Sequence, residues 1–95
     1  MSLYIARVEL HSGQYIPDFV VLHNAMQTEG FKRLIASDSG KIYHLPRGEY
    51  SILTNKDRLQ VLDAVKRAVA ITGRSAEILV TESAGCRWDG LTEQK

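Results

Sequence analysis

The second half of the chain carries the pattern that most constrains the fold, an amphipathic helix predicted over residues 55–72. Four apolar residues recur along it at helical spacing: Leu59, Leu62, Val65 and Val69. Residues 54–57 (TNKD) resemble a capping box, and Gly73 supplies the stop. A helix with one apolar stripe must bury that stripe against another layer, so the chain needs a sheet or a second helix beside it.

The first half supplies the sheet. Residues 3–10 alternate apolar and polar side chains, with Tyr4, Ala6, Val8 and Leu10 on one face, as in a half-buried strand. A helix is predicted over residues 17–29, where Pro17 and Asp18 suit the first turn. The remaining strands are predicted over residues 31–37, 49–53 and 76–82, with a turn or bulge at 38–40 before residues 41–45 resume the extended chain.

This order predicts an α+β fold of the ferredoxin-like type, β-α-β-β-α-β. Its four-stranded antiparallel sheet would carry both helices on one face. With 95 residues, the chain is long enough for one domain, predicted over residues 1–83. Residues 84–95 contain two glycines and little apolar content besides Trp88 and Leu91, and are predicted to form a C-terminal tail or arm.

Composition excludes several classes of function. The formal net charge of +1 gives no global field to attract nucleic acid or an anionic membrane, so polyanion binding needs a local cluster. A single cysteine, Cys86, excludes an internal disulfide and a cysteine-based zinc site within one chain. The sequence shows no signal peptide and no membrane span. We therefore expect a soluble cytoplasmic protein without membrane contact, metal or cofactor.

In a ferredoxin-like sheet, the end of the first strand, the hairpin after the second and the start of the first helix meet at one edge. That edge collects polar and charged residues: Glu9, His11, Tyr15, Lys41, His44 and Arg47, with Arg74 nearby. One imidazole can take the proton of a 2′-hydroxyl while another protonates the leaving oxygen, and Arg or Lys can stabilise the phosphorane. The predicted catalytic residues are His11, His44, Arg47 and Glu9. The predicted RNA-binding residues are Arg7, Tyr15, His23, Lys41, Arg47 and Arg74.

Other interpretations of the same residues stay open. Loop histidines, lysines and arginines are commonly just solvated, and His23 suits a boundary between core and surface. Glu9 could hold a metal ion, although one carboxylate makes a poor magnesium cage. Single-stranded RNA could also lie on the open sheet face, as in RNA-recognition modules, but Tyr50 fits the core better than an aromatic RNA-binding signature.

Several segments together resemble the GhoS antitoxins of type V toxin–antitoxin systems, in order and spacing over residues 3–82. These segments are YIARVE at 4–9, the polar loop at 12–15, MQTEGF at 26–31, IASD at 35–38, LPR at 45–47 and YSI at 50–52. The resemblance implies a ferredoxin-like endoribonuclease that cleaves messenger RNA, related in shape to the small CRISPR-associated nucleases. In this chain, His23 stands where that family carries a basic residue, and Glu9 is the acid that ends the first strand.

Two classes of function are therefore carried forward. The first is an antitoxin-like RNA-binding protein that can act as an endoribonuclease on single-stranded messenger RNA. The alternative is a non-catalytic dimeric module that binds another protein, as an inhibitor or adaptor of phage or mobile-element type, through a strand edge. In both cases we expect a homodimer to which the 84–95 arm contributes by burying Trp88 against the partner.

Overall fold

The computed structural model describes residues 1–11 and 16–95, with the backbone alone for residues 16 and 17. In chain order its elements are β1 (Ser2–Leu10), α1 (Ile16–Thr28), β2 (Leu34–Ala36), β3 (Ile42–His44), β4 (Glu49–Thr54), α2 (Arg58–Ile71) and β5 (Ala76–Ser83). The prediction of a small α+β fold with two helices and antiparallel strands is confirmed. Over the described residues, neither helix has the length and apolar character that crossing a membrane requires.

The sheet differs from the predicted single sheet of four strands. Strands β4, β1 and β5 form a three-stranded antiparallel sheet with β1 at its centre, whereas β2 and β3 form a separate hairpin. The two sheets meet at one isolated bridge, Lys32 with Ser51. The pairing of this segment with β4 stops at that bridge, because the backbone groups that would form the next hydrogen bonds have other partners. The Leu34 carbonyl accepts a hydrogen bond from Ser51 Oγ at 2.6 Å, and the Glu49 amide donates to the Pro46 carbonyl at 3.0 Å.

Both helices pack on the same face of the three-stranded sheet. The predicted inward face of β1 is confirmed: Tyr4, Ala6, Val8 and Leu10 are all buried. They share one core with α1, which contributes Phe19, Leu22 and Met26, and with the buried side of α2. Tyr50 of β4 is also fully buried in this core, as the sequence predicted. Over the described residues, no helix covers the opposite face of the sheet, and there Arg7 and Glu9 are exposed.

The buried side of α2 is not the predicted stripe. Leu59 is 67% exposed and Leu62 is only half-buried. The helix instead buries Val61, Ala64, Val65, Ala68 and Val69. Small alanines at the contact let a helix lie close to its neighbours, so the larger leucines are left on its flank. A prediction based on the largest apolar residues therefore does not identify a buried helix face that is built partly from alanines.

The start of α2 also lies later than predicted. Asp57 is the N-cap, and its carboxylate accepts from the Gln60 amide at 2.8 Å while the Gln60 side chain accepts from the Asp57 amide at 3.0 Å. This reciprocal pair is a capping box, so the prediction of the motif type was right and its position was three residues too early. The predicted first residue of the box, Thr54, is instead the last residue of β4.

The segment at 84–95 folds back onto the β2–β3 hairpin. The His44 amide donates to the Thr92 carbonyl at 2.9 Å, and the Gln94 amide donates to the Ile42 carbonyl at 2.8 Å. The indole ring of Trp88 meets the ring of Tyr43 edge-on, with centroids 5.4 Å apart. Within one chain, the arm therefore extends the hairpin by a third extended segment. Packing of Trp88 against a partner stays a prediction.

Candidate nucleic-acid interface

A groove of about 540 Å³ runs between α1 and the β2–β3 hairpin. Its polar lining comes from α1, from the chain just beyond α1, from β3 and from the C-terminal segment: His23, Asn24, Gln27, Lys32, Arg33, His44 and Gln94. Helix α1 ends in a Schellman motif, in which the Gly30 amide donates to Gln27 and the Phe31 amide donates to Met26. The motif turns the chain sharply at the end of α1. The residues after the turn, which include Lys32 and Arg33, line the groove on the side of the hairpin.

The groove is locally cationic although the chain is nearly neutral. No Asp or Glu occurs among the described residues that line it. Lys32, Arg33 and the neighbouring Arg47 are exposed, and no described carboxylate lies within ion-pair distance of any of them. By contrast, Arg67 is bound by Glu29 at 2.8 Å on the outside of the helices. The groove thus holds cations that the described chain does not neutralise, which is the local cluster that anion binding requires.

Arg47 is held beside the start of α1. Its guanidinium lies 4.5 Å from the centroid of the Phe19 ring, a cation–π contact. The turn that presents it spans residues 46–49, in which the Glu49 amide donates to the Pro46 carbonyl at 3.0 Å. Gly48 takes the third position with φ of +88°, and a Cβ there would lie 2.6 Å from the Val8 carbonyl oxygen. The turn can therefore approach β1 only because residue 48 is glycine.

His23 is anchored to the core through Tyr50. The ring Nδ1 of His23 lies 2.6 Å from the hydroxyl oxygen of the fully buried Tyr50. Partial burial, helped by the positive charges of Arg33 and Arg47, lowers the pKa of His23 from 6.5 to about 4. Burial also raises the pKa of Tyr50 above its ordinary value. Both groups are therefore neutral at pH 7.

The tautomer of His23 follows from the needs of Tyr50. A buried hydroxyl proton needs an acceptor, and His23 Nδ1 is the partner that the structure provides for it. If Tyr50 donates to Nδ1, the ring proton of the neutral imidazole must reside on Nε2. His23 lines the groove. It therefore offers this wall an uncharged N–H donor.

The sequence-predicted residues divide between this groove and other places. His44 lies in the groove and Arg47 lies beside it, whereas His11 lies at the far side of the sheet. The imidazole of His11 contacts Ser75 Oγ at 3.1 Å and Glu77 Oε2 at 3.2 Å, both at the start of β5. His11 continues β1 on the side that pairs with β5, whereas the hairpin that carries His44 meets the sheet beyond β4. The structure does not bring the two histidines together at one site.

The remaining predicted residues lie outside the groove. Arg7 and Glu9 line a shallow hollow of about 370 Å³ on the open sheet face, together with Glu77. Arg74 is 3.6 Å from Asp18, and Lys41 precedes β3 at the end opposite His44. Tyr15 is not among the described residues. Within the described parts of the chain, no three His, Cys, Asp or Glu side chains are grouped so that they could hold a metal ion.

Sequence reasoning missed Lys32 and Arg33, which form the cationic wall, and the amides of Asn24 and Gln27. The signal for the first pair was present, since two adjacent cations begin two residues after the helix stop at Gly30. Assigning residues 31–37 to a strand hid it, because adjacent residues of a strand point to opposite faces. In the structure, Lys32 and Arg33 precede β2, and both line the groove.

Comparison with known proteins adds no assignment: no family model matches the chain, and no curated protein does. The functional interpretation therefore depends on the groove itself. Its described lining combines two cations, two imidazoles and side-chain amides. Phosphate groups are bound by such cations, and base edges are bound by such amides.

Proposed function

We propose that this protein is an antitoxin-like RNA-binding protein that holds single-stranded RNA in the groove between α1 and the β2–β3 hairpin. The observation that carries the proposal is the set of three exposed cations, Lys32, Arg33 and Arg47, which no described carboxylate neutralises. Unpaired cations in and beside one groove release counterions from a phosphate backbone when they bind it, and this release drives association.

Each part of the groove has a role in this proposal. Lys32 and Arg33 contact successive phosphates, and the Nε2–H of neutral His23 donates a hydrogen bond without adding charge. Asn24 and Gln27 are exposed on the α1 wall, where their amides can bind base edges. Splayed bases of a single strand present those edges, whereas an A-form duplex hides them in a deep and narrow groove.

Cleavage of the bound strand is the second part of the proposal. We assign proton transfer to His44, because it is the histidine that lines the groove beside Lys32 and Arg33 without being tied to a core residue. Deprotonation of a 2′-hydroxyl by His44 would let that oxygen attack the adjacent phosphorus, form a 2′,3′-cyclic phosphate and expel the 5′-oxygen, which takes a proton from water. Arg33 would stabilise the charge of the phosphorane. This chemistry needs no cofactor.

The antitoxin assignment comes from the resemblance of residues 3–82 to the GhoS family, and the ferredoxin-like topology is part of the same proposal. The order β5-β1-β4 with both helices on one face supports that topology. The bridge between Lys32 and Ser51 lies where the fourth strand of such a sheet would pair. In this interpretation, the fourth strand is reduced to one bridge, and the groove occupies the space left beside it.

RNA binding is tested by fluorescence anisotropy with a labelled single-stranded RNA over a series of salt concentrations. Lys32→Ala/Arg33→Ala should weaken binding about tenfold or more at low salt and reduce the slope of log K against log salt by about 1.4. The matched control is Arg58→Ala/Lys66→Ala, which removes two exposed cations from α2, outside the groove. Absence of binding by the unaltered chain, or equal losses in both variants, would contradict the proposal.

A further inference from the structure

Strand β5 has one edge that no described part of the chain pairs with. It is the outermost strand of the sheet order β4-β1-β5 and pairs with β1 in unbroken register from Leu3 opposite Ser83 to Leu10 opposite Ala76. No described residue pairs with its other edge. Proteins usually protect such an edge with charged side chains, above all lysine, with proline or with a bulge. The sequence AEILVTES has no lysine, proline or bulge, and its two charges, Glu77 and Glu82, flank an uncharged centre at residues 78–81.

The backbone groups on the free edge can be identified by residue. The His11 amide donates to the Ser75 carbonyl at 2.8 Å, so odd-numbered residues of β5 direct their hydrogen-bonding groups toward β1. The even-numbered residues therefore direct their N–H and C=O groups outward: Ala76, Ile78, Val80 and Glu82. A second antiparallel strand could satisfy them all.

We propose that the partner is a second copy of this chain, with β5 pairing antiparallel to β5 about a two-fold axis at Leu79. This register places Leu79 opposite Leu79 and Ile78 opposite Val80, both apolar pairs. It places Glu77 opposite Thr81, so no two carboxylates face each other. The result is one continuous six-stranded sheet made from two three-stranded sheets.

Symmetry and chemistry select this register over its neighbours. An axis at Val80 would set Ile78 against Glu82, and an axis at Ile78 would set Glu77 against Leu79. An axis between two residues would pair an outward-directed residue with an inward-directed one and lose the hydrogen bonds. The register at Leu79 also accounts for a leucine that is 62% exposed in the middle of the strand.

The flank of α2 above β5 contributes apolar surface to the same contact. Arg58 lies 3.9 Å from Glu82 of β5, which identifies the side of α2 that overlies the edge. Leu62 follows Arg58 by one turn, on that side, and is half-buried within one chain. The groove lies beyond β4, at the opposite side of the sheet, so the dimer would carry one groove at each end. The proposal does not depend on RNA binding.

Sedimentation velocity at tens of micromolar protein tests the dimer through two lysine substitutions on the same exposed sheet face. Leu79→Lys sets lysine against lysine on the axis and should raise the dimer dissociation constant about tenfold or more. Thr81→Lys sets lysine opposite Glu77 of the partner and should leave the dimer intact or tighten it. Circular dichroism checks that both variants are folded. A monomeric unaltered chain, or a dimer unaffected by Leu79→Lys, would overturn the proposal.

The register has its own test by cross-linking. In the background Cys86→Ser, Leu79→Cys should form a disulfide-linked dimer on mild oxidation, because two non-hydrogen-bonded residues directly opposite have their Cβ atoms close together. Glu77→Cys in the same background should not, because residue 77 faces residue 81 of the partner. Equal cross-linking by both, or by neither, would overturn the register centred on Leu79.

Discussion

The hydroxyl of Tyr50 holds His23 Nδ1 at 2.6 Å, which joins the centre of the core to the wall of the groove. Tyr50 is fully buried on β4 and pairs across the sheet with Ala6 of β1. The orientation of a groove residue is therefore set by a residue that no ligand in the groove needs to touch. Substitutions at Tyr50 should change the groove as well as the stability.

Stability should fall as the pH is lowered from 6.5 toward 4, in part because of His23. Its pKa is about 4 in the folded chain and 6.5 when unfolded, so the unfolded chain takes up the proton first. Protonation then favours unfolding, and the contribution of neutral His23 is complete above pH 6.5. Urea unfolding at pH 7 and pH 5 measures it. His23→Gln should lose less stability than the unaltered chain over this interval, and equal losses would contradict the assignment.

Gly48→Ala should destabilise the fold by about 3 kcal/mol or more, since it adds a steric clash with β1 to the cost of a positive φ. The matched control is Gly40→Ala, at φ of +86°, where an added Cβ meets nothing within 4 Å. It should cost only about 1–2 kcal/mol. Thermal and urea unfolding measure both. Equal costs would mean that the approach of Gly48 to Val8 is not tight.

Truncation on α2 should follow burial and not side-chain size. Val65→Ala should cost about 2 kcal/mol, because Val65 is fully buried and its loss leaves a small cavity. Leu59→Ala removes a larger group, yet it should stay within about 0.5 kcal/mol because Leu59 is 67% exposed. Urea unfolding measures both. If Leu59→Ala lowered the free energy of unfolding more than Val65→Ala, the buried face predicted from the sequence would be the correct one.

Cleavage of single-stranded RNA, measured on gels with labelled substrate, should depend on His44 and not on His11. His44→Ala should lower the rate about a hundredfold, as expected when a proton carrier is removed. His11→Ala should leave the rate within about twofold, because His11 contacts Ser75 and Glu77 at the other side of the sheet. EDTA should have no effect. Equal losses in both variants, or loss with EDTA, would move the chemistry out of the groove.

The sequence predicts the elements of this fold well and their assembly less well. Alternation along β1 identified its buried face, because that strand is covered on one side only. The extended chain at 31–37 gave no sign that its pairing with β4 would stop at Lys32. That outcome depends on the Ser51 hydroxyl taking the Leu34 carbonyl, a contact between residues far apart in the sequence.

The groove could be predicted only in part, for a similar reason. The sequence identified His23, His44 and Arg47 as candidates but grouped His44 with His11. The β2–β3 hairpin turns away from the three-stranded sheet. His44 therefore lies beside α1 and not beside His11. The cationic wall at Lys32 and Arg33 follows from the exact end of α1, and element ends are difficult to predict from sequence.

The central position of β1 has a consequence for synthesis on the ribosome. This strand is made before both of its partners, since Arg7 pairs with Glu49 and Leu10 pairs with Ala76. At about 5–20 residues per second, β1 emerges seconds before either neighbour exists. During that interval both of its edges are open in the nascent chain, so its alternating charges at Arg7 and Glu9 are the protection it carries against joining other chains.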